Sequence, residues 1–148
     1  MTTQFALQVP APARQLDELR VADAMHPGVL SCSVDAPLTD VARVMAAHRV
    51  HCVIVLGTDD EADVALEGRL WGVVSDLDLV SAADSIGART AGDTAVTPAV
   101  MIAPDDTLAR AAQLMREHEV SHLVVASPAS LYPVGVLSTL DIAHALVD

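Results

Sequence analysis

Apolar residues recur at the spacing of an amphipathic helix in two segments of the chain, with steps of three, four and seven residues. The two sets are Leu38, Val41, Ala42 and Met45 in the first half, and Leu108, Ala111, Ala112 and Met115 in the second. Asp35 and Asp105 precede these segments at equivalent positions as candidate N-caps, and Pro37 is tolerated in a first helical turn. The pattern predicts two helices that begin in the same way.

Extended segments are predicted around each of these helices. An apolar run precedes the helix, a nearly continuous apolar strand follows it, and a further strand leads into a last helix that begins at Ser75 or Ser138. The predicted strands are 29–34, 52–56 and 71–74 in the first half, and 99–103, 123–126 and 134–137 in the second. Continuous apolar strands are typical of sheets that are covered on both faces.

The two halves of the chain are copies of one unit. Residues 38–55 match residues 108–125 with six of eighteen positions identical, and residues 72–79 match residues 135–142 with five of eight identical. One copy of about 60 residues buries too little surface to be comfortably stable alone. We therefore expect an α/β (α+β) fold in which two tandem strand–helix–strand–strand–helix units pack with pseudo-twofold symmetry.

The repeat also predicts how the chain is divided. The expected parts are an N-terminal arm at 1–20, a first unit at 21–86 and a second unit at 90–148. Residues 8–13 contain two prolines and are expected to be flexible, whereas residues 15–25 fit a helix that leads into the first unit. Residues 85–89 are the predicted linker, and residues 57–70 form a longer loop with an acidic run.

The amino-acid composition limits the classes of function that are expected for this protein. The net charge is −12 and there is no lysine, so the surface is expected to repel nucleic acids and anionic lipid. Three aromatic residues are too few for a base-stacking strand binder. Neither a signal peptide nor an apolar run of membrane-spanning length is visible, which predicts a cytoplasmic protein. Two cysteines without a CxxC pair do not indicate a disulfide scaffold.

The repeated order of elements, with the sequences GVVSDLDL at 72–79 and GVLSTLDI at 135–142, resembles the cystathionine-β-synthase (CBS) domain. Residues 48–55 and 118–125 carry the same resemblance, which covers about 21–148 as a tandem pair, or Bateman module. It implies two units packed sheet to sheet around two clefts for AMP, ATP, S-adenosylmethionine or a related adenosine ligand. It also implies a non-enzymatic regulator that pairs as a homodimer or acts on a partner protein.

The paired motifs Ser75-x-x-Asp78 and Ser138-x-x-Asp141 have two interpretations. The first is a capping box that satisfies free N–H groups at a helix start. The second is a ligand site, in which the helix start and Ser hold a phosphate and Asp accepts hydrogen bonds from ribose hydroxyls. The two interpretations are compatible, and the duplication and the family resemblance favour the second.

The resemblance places further residues at the clefts, namely His51, Cys52, Ser121 and His122, with Leu30 and Met101 beside the adenine. Of these, His122 stands where members often carry a phosphate-binding Arg or His. The second cleft is expected to be the better anion site. The first copy has Asp76 where the second has Thr139, and a carboxylate there repels a phosphate. Leu77 and Leu140 stand where many members carry Arg or Lys, which favours AMP or a neutral adenosine derivative over ATP.

Two other functions remain open. The missing basic residues favour a ligand-free dimerisation or scaffold module that has kept the fold while its sites decayed. A metal-responsive module is suggested by six histidines, among them His118 and His122, but no acidic partner has zinc-motif spacing. No cofactor and no catalytic residue are predicted. A nucleophilic Cys52 is not expected, because no nearby charge would stabilise its thiolate.

Overall fold

The computed structural model describes residues 15–57, 69–97, 99–129 and 132–147. The helices are α1 (Val21–Ala24), α2 (Leu38–His48), α3 (Asp76–Ser81), α4 (Ala91–Thr94), α5 (Leu108–His118) and α6 (Thr139–Val147), with 3-10 turns at Leu16–Glu18 and Ala83–Ala88. The strands are β1 (His26–Pro27), β2 (Ser31–Ser33), β3 (Cys52–Gly57), β4 (Arg69–Ser75), β5 (Met101–Ile102), β6 (His122–Ala126) and β7 (Pro133–Ser138). The predictions for residues 8–13 and for the acidic run at 59–63 lie outside the described residues.

Two small mixed sheets form the centre of the fold. One has the strand order β2-β3-β4 and the other has the order β1-β7-β6-β5. In each sheet the strand after the long helix pairs in parallel with the strand before it, and antiparallel with the strand after it. The predicted α/β fold of two equivalent units is confirmed.

Each sheet carries a helix-side core. Leu38, Val41 and Met45 of α2 pack with Val53 and Val55 of β3. The equivalent core of the second unit is formed by Leu108, Ala111, Met115, Leu123, Val125, Leu137 and Ile142, together with Val21 from the start of the chain. The apolar spacing in both long helices therefore predicted their buried faces.

The opposite faces of the central strands are also buried. Ile54 and Val124 are 0% and 1% exposed, yet neither belongs to a helix-side core. Side chains alternate between the two faces of a strand, so these residues point away from the helices. Their burial shows that the second face of each sheet is covered as well, which fits the sheet-to-sheet packing that the family resemblance implies.

Each unit completes its core with a segment from the other half of the chain. Residues Leu16 to Met25 pack on the second core, and Ala91 and Ala95 pack on the first. The hydrogen bonds that hold them are reciprocal: Leu108 N donates to Leu19 O, and Leu38 N donates to Arg89 O, both at 2.9 Å. Donor and acceptor in the second bond lie 70 positions from the corresponding residues in the first, which is the offset of the sequence repeat. The two units are therefore held together in equivalent ways, as pseudo-twofold symmetry requires.

Several local predictions were wrong. Asp35 and Asp105 are not the N-caps of the long helices, which begin after Pro37 and Thr107. Thr107 Oγ1 accepts a bond of 3.1 Å from Arg110 N, so a hydroxyl closer to the helix takes the capping role.

The segments at the edges of the sheets also differ from expectation. The runs predicted at 29–34 and 99–103 pair over only three and two residues. The helix predicted over 15–25 is broken by extended backbone at Leu19 and Arg20, where Leu19 O is used to bind α5. The linker predicted at 85–89 lies largely within a 3-10 turn.

Two glycines mark where the exchanged segments cross the sheets. A Cβ on Gly72 would overlap the carbonyl oxygen of Val96 and lie 2.7 Å from Thr97 Cγ2. A Cβ on Gly135 would lie 2.6 Å from His26 O. Only a residue without a side chain permits this approach of one backbone to another. In the described part of the chain, no helix is long and apolar enough to cross a membrane.

Candidate ligand site at the helix starts

Both repeated Ser-x-x-Asp motifs form capping boxes. Ser75 N donates to Asp78 Oδ2 at 2.8 Å, and Asp78 N donates to Ser75 Oγ at 3.2 Å. In the second unit, Ser138 N donates to Asp141 Oδ2 at 2.8 Å, and Asp141 N donates to Ser138 Oγ at 3.1 Å. The first interpretation of these motifs is thus realised, and each carboxylate still has its Oδ1 directed away from the cap.

The two boxes differ in the hydroxyl group. Ser75 Oγ also donates to Asp78 Oδ2 at 2.9 Å, so its proton is already used. Within the described residues, Ser138 Oγ makes no such bond to Asp141. The hydroxyl of Ser138 can therefore still donate to a ligand oxygen.

The two aspartates also differ in their surroundings. Asp141 is only 5% exposed, and its Oδ1 lies 3.0 Å from His26 Nδ1 on β1. His26 pairs with Val136 of β7, and at the equivalent place in the other sheet Val96 pairs with Val73 of β4. Asp78 therefore has an apolar residue where Asp141 has a histidine. His26 is 79% exposed, so this pair joins an exposed ring to a buried carboxylate.

Asp76 is not an isolated negative charge. Its Oδ2 lies 2.8 Å from His51 Nδ1, and its Oδ1 accepts a bond of 2.9 Å from Leu77 N. The hydrogen bond from His51, with the bond from Leu77 N and the nearby histidine charges, lowers the pKa of the Asp76 carboxyl against the opposing effect of burial. Asp76 thus has hydrogen-bond partners of its own, which the comparison with Thr139 did not anticipate.

His122 connects the two units. It follows Ser121, whose Oγ lies 2.9 Å from His122 Nδ1. Burial lowers the pKa of His122, and the charges that also act on it belong to Asp76, His51, Asp141 and Asp78. These groups come from both copies, and the register of β6 with β7 pairs His122 with Ser138, directly before α6. We call His51, Asp76, Asp78, His122 and Asp141 the axis cluster.

Cys52 stands beside this cluster at the start of β3. Burial, together with the negative charges of Asp76 and Asp141, raises the pKa of its thiol to about 12. The thiol is therefore protonated at neutral pH and is not a nucleophile.

The two residues expected beside the adenine are half-buried. Leu30 precedes β2, and its carbonyl oxygen accepts a bond of 2.9 Å from Ile54 N. Met101 pairs with Val124 in β5. The backbone of Leu30 is thus partly committed to the sheet, and a base there would meet mainly apolar side chains.

A family model for the CBS domain matches residues 21–85 and 91–148. The chain belongs to the CBS domain family. No curated protein matches the sequence.

Solved structures give the same fold. Hypoxic Response Protein I with two coordinated zinc ions is 27% identical, with a TM-score of 0.65, and the match covers 86% of this chain and 98% of that one. A CBS domain protein from Pyrobaculum aerophilum complexed with AMP is 26% identical, with a TM-score of 0.70, and the match covers 83% and 89%. A CBS domain pair complexed with 5′-methylthioadenosine and S-adenosyl-L-methionine is 16% identical, with a TM-score of 0.71, over 84% and 93%.

The histidines suggested for a metal do not assemble into a site. His118 ends α5 and is exposed, whereas His122 lies on β6, so the pair does not share a helix face. Among the described residues of the CBS pair, no group of three or more His, Cys, Asp or Glu side chains could hold a metal ion.

His122 gives the CBS pair a pH-dependent stability. Because burial depresses its folded pKa below the unfolded value of about 6.5, the folded state favours the neutral ring. This stabilisation is present above the unfolded pKa and is lost as pH falls through the folded pKa. We expect the melting temperature to rise more between pH 5 and 7.5 in the native protein than in His122→Asn. Equal rises in differential scanning fluorimetry would contradict this assignment.

Proposed function

We propose that this CBS pair is a regulatory module that binds AMP or a closely related adenosine ligand in the second cleft. Asp141 accepts the ribose hydroxyls, Ser138 donates to the phosphate, and His122 lies beside it. The observation that carries this proposal is the register of β6 with β7, which pairs His122 with Ser138 at the start of α6; charges from both copies also act on this imidazole. A ligand held there contacts both units and can bias how they pack, which is the basis of a sensor.

The chemistry of the cluster supports an adenosine ligand of low charge. A carboxylate whose Oδ1 lies outside the capping box is a good acceptor for a diol, which at Asp141 would take the place of the exposed His26 ring. The axis cluster contains no arginine. The Pyrobaculum aerophilum relative is complexed with AMP, which supports the same ligand class here. The first cleft, with Ser75, Asp78, His51 and Leu30, is proposed as a second and weaker site.

A thermal-shift screen tests the proposal. A ligand that binds only the folded state raises the melting temperature according to its concentration and affinity. We expect AMP to raise it more than adenosine does, and both to exceed guanosine monophosphate. A flat response to every adenosine compound would overturn the proposal and favour the ligand-free scaffold. A rise with zinc alone would favour the metal-responsive module, given the zinc ions in Hypoxic Response Protein I.

Matched variants locate the ligand. We expect Asp141→Ala to weaken AMP binding about tenfold, and Asp78→Ala to weaken it much less, as measured by calorimetry. Ser138→Ala and Ser75→Ala form a second pair, since each removes one N-cap hydroxyl and costs similar stability. Equal losses in each pair would show that both clefts are occupied alike, and a larger loss for Asp78→Ala would reverse the ranking.

We also propose that the CBS pair forms a homodimer through α3 and α6, the last helix of each unit. The apolar spacing of the last helix of each unit suggests that Leu79, Val80, Ile142 and Leu146 need cover, but only Val80 is exposed, at 71%. Ile142 is buried in the core, and Leu79 and Leu146 pack against the cores, so these three do not form a free surface. The exposed apolar residues of α3 and α6 are Leu77, Val80, Leu140 and Val147.

A double variant tests this surface. Val80→Glu with Leu140→Glu is expected to convert the dimer to a monomer, because a buried, unpaired carboxylate opposes association. Light scattering at high micromolar concentration measures the mass. Ala129→Glu, an exposed loop position, serves as the matched control and should remain dimeric. A monomeric native protein would overturn the proposal.

We propose further that the module is non-enzymatic and cytoplasmic, and that it acts on its own dimer or on a partner protein. The high pKa of Cys52 supports the first point. The net charge of −12 supports a function that involves neither nucleic acid nor an anionic membrane surface.

A further inference from the structure

The axis cluster is rich in carboxylates and lacks a permanent positive charge, which is unusual for a site proposed to bind a phosphate. The chain has no lysine, and the charged groups that act on His122 are Asp76 and Asp78 of α3, Asp141 of α6, and His51 before β3. No arginine is among them. Among the described residues, the group that can supply a positive charge here is therefore an imidazole that has taken up a proton.

The geometry leaves His122 suited to that role. Its Nδ1 lies 2.9 Å from Ser121 Oγ, and within the described residues no hydrogen bond to its Nε2 is found. His51 is different, since its Nδ1 already lies 2.8 Å from Asp76 Oδ2. Of the two histidines, His122 has the nitrogen that can meet a ligand oxygen without breaking an existing pair.

We propose that binding of a phosphate-bearing ligand is coupled to protonation of His122, so that the CBS pair reports pH together with nucleotide. This inference rests on the proposed function. Without ligand, burial of the ring lowers the pKa of His122 and so favours its neutral form. A phosphate dianion near Nε2 favours the imidazolium, so the complex takes up a proton from solvent.

Linkage sets the direction of the effect. When the bound state holds more protons than the free state, affinity increases as pH falls through the range between the two His122 pKa values. We expect AMP to bind about threefold to tenfold more tightly at pH 6 than at pH 8, beyond the change due to the phosphate itself. Adenosine, which has no phosphate, should show almost no change.

Calorimetry in two buffers of different ionisation enthalpy measures the proton uptake directly. At pH 7 the native protein is expected to take up a fraction of a proton per AMP, whereas His122→Asn should take up clearly less. His48→Asn is the matched control, because His48 is an exposed histidine at the end of α2. It should behave like the native protein.

The outcomes separate the two proposals. AMP binding with no proton uptake in the native protein, or with equal uptake in His122→Asn, overturns the coupling and leaves the proposed function intact. Failure of AMP and adenosine to bind at pH 6, 7 and 8 overturns the proposed function and the coupling together. If His122→Asn does not fold, His122→Gln takes its place, and absence of proton uptake in the native protein overturns the coupling in either case.

Discussion

Gly72→Ala is expected to destabilise the protein by about 2–3 kcal/mol, the largest stability loss that we predict for a single added methyl group. The new Cβ would overlap Val96 O and approach Thr97 Cγ2 to 2.7 Å. Both atoms belong to the segment after α4, which pairs with β4 through Val73 and Val96. Since a backbone carbonyl cannot rotate away, the whole crossing segment must shift from the first core.

Gly87→Ala is the matched control for this prediction. No atom lies within 4 Å of a Cβ at Gly87, so this substitution should change stability by less than about 0.5 kcal/mol. Gly135→Ala should resemble Gly72→Ala, because its Cβ would meet His26 O in the equivalent crossing. Chemical denaturation measures all three variants. A neutral Gly72→Ala would mean that the crossing segment adjusts freely and does not define the first core.

AMP should bind more tightly than ATP, on the order of tenfold to a hundredfold, when no metal is added. The axis cluster contains three carboxylates, and the helix starts carry Leu77 and Leu140. Further phosphates add negative charge that these groups cannot compensate. Titration calorimetry with each nucleotide at low salt measures the ratio.

Ionic strength and a charge variant control this preference. Salt screens the repulsion between exposed charges, so the AMP to ATP ratio should shrink as salt rises. Asp76→Thr, which gives the first helix start the residue found in the second, should improve ATP binding more than AMP binding. A clear preference for ATP without metal would show that the charge argument is wrong.

Much of the fold was predictable because it depends on short-range periodicity. The spacing of Leu38 and Met45, and of their counterparts Leu108 and Met115, is a property of single helices, and the apolar strands are read in the same way. The capping boxes at Ser75 and Ser138 also lie within four residues of sequence, so their hydrogen bonds could be expected.

The remaining features depend on distant parts of the chain. Leu19 O binds Leu108 N across 89 positions of sequence, and the pairing of His26 with Asp141 is equally remote. A single sequence has no local signal for either. The pairing of His51 with Asp76 could have been suspected, since they flank Cys52 and Ser75, the ends of two strands expected to pair as a hairpin.

Each unit of this chain gives its leading segment to the core of the other unit. The single polypeptide therefore resembles a domain-swapped dimer whose two subunits have been joined. Residues Leu16 to Met25 complete the second core, and Ala91 and Ala95 complete the first. A cut at residues 87–89 would therefore not release two finished domains. It would release two fragments, each exposing a gap that only the leading segment of the other can fill, and the pair should reassociate into one particle.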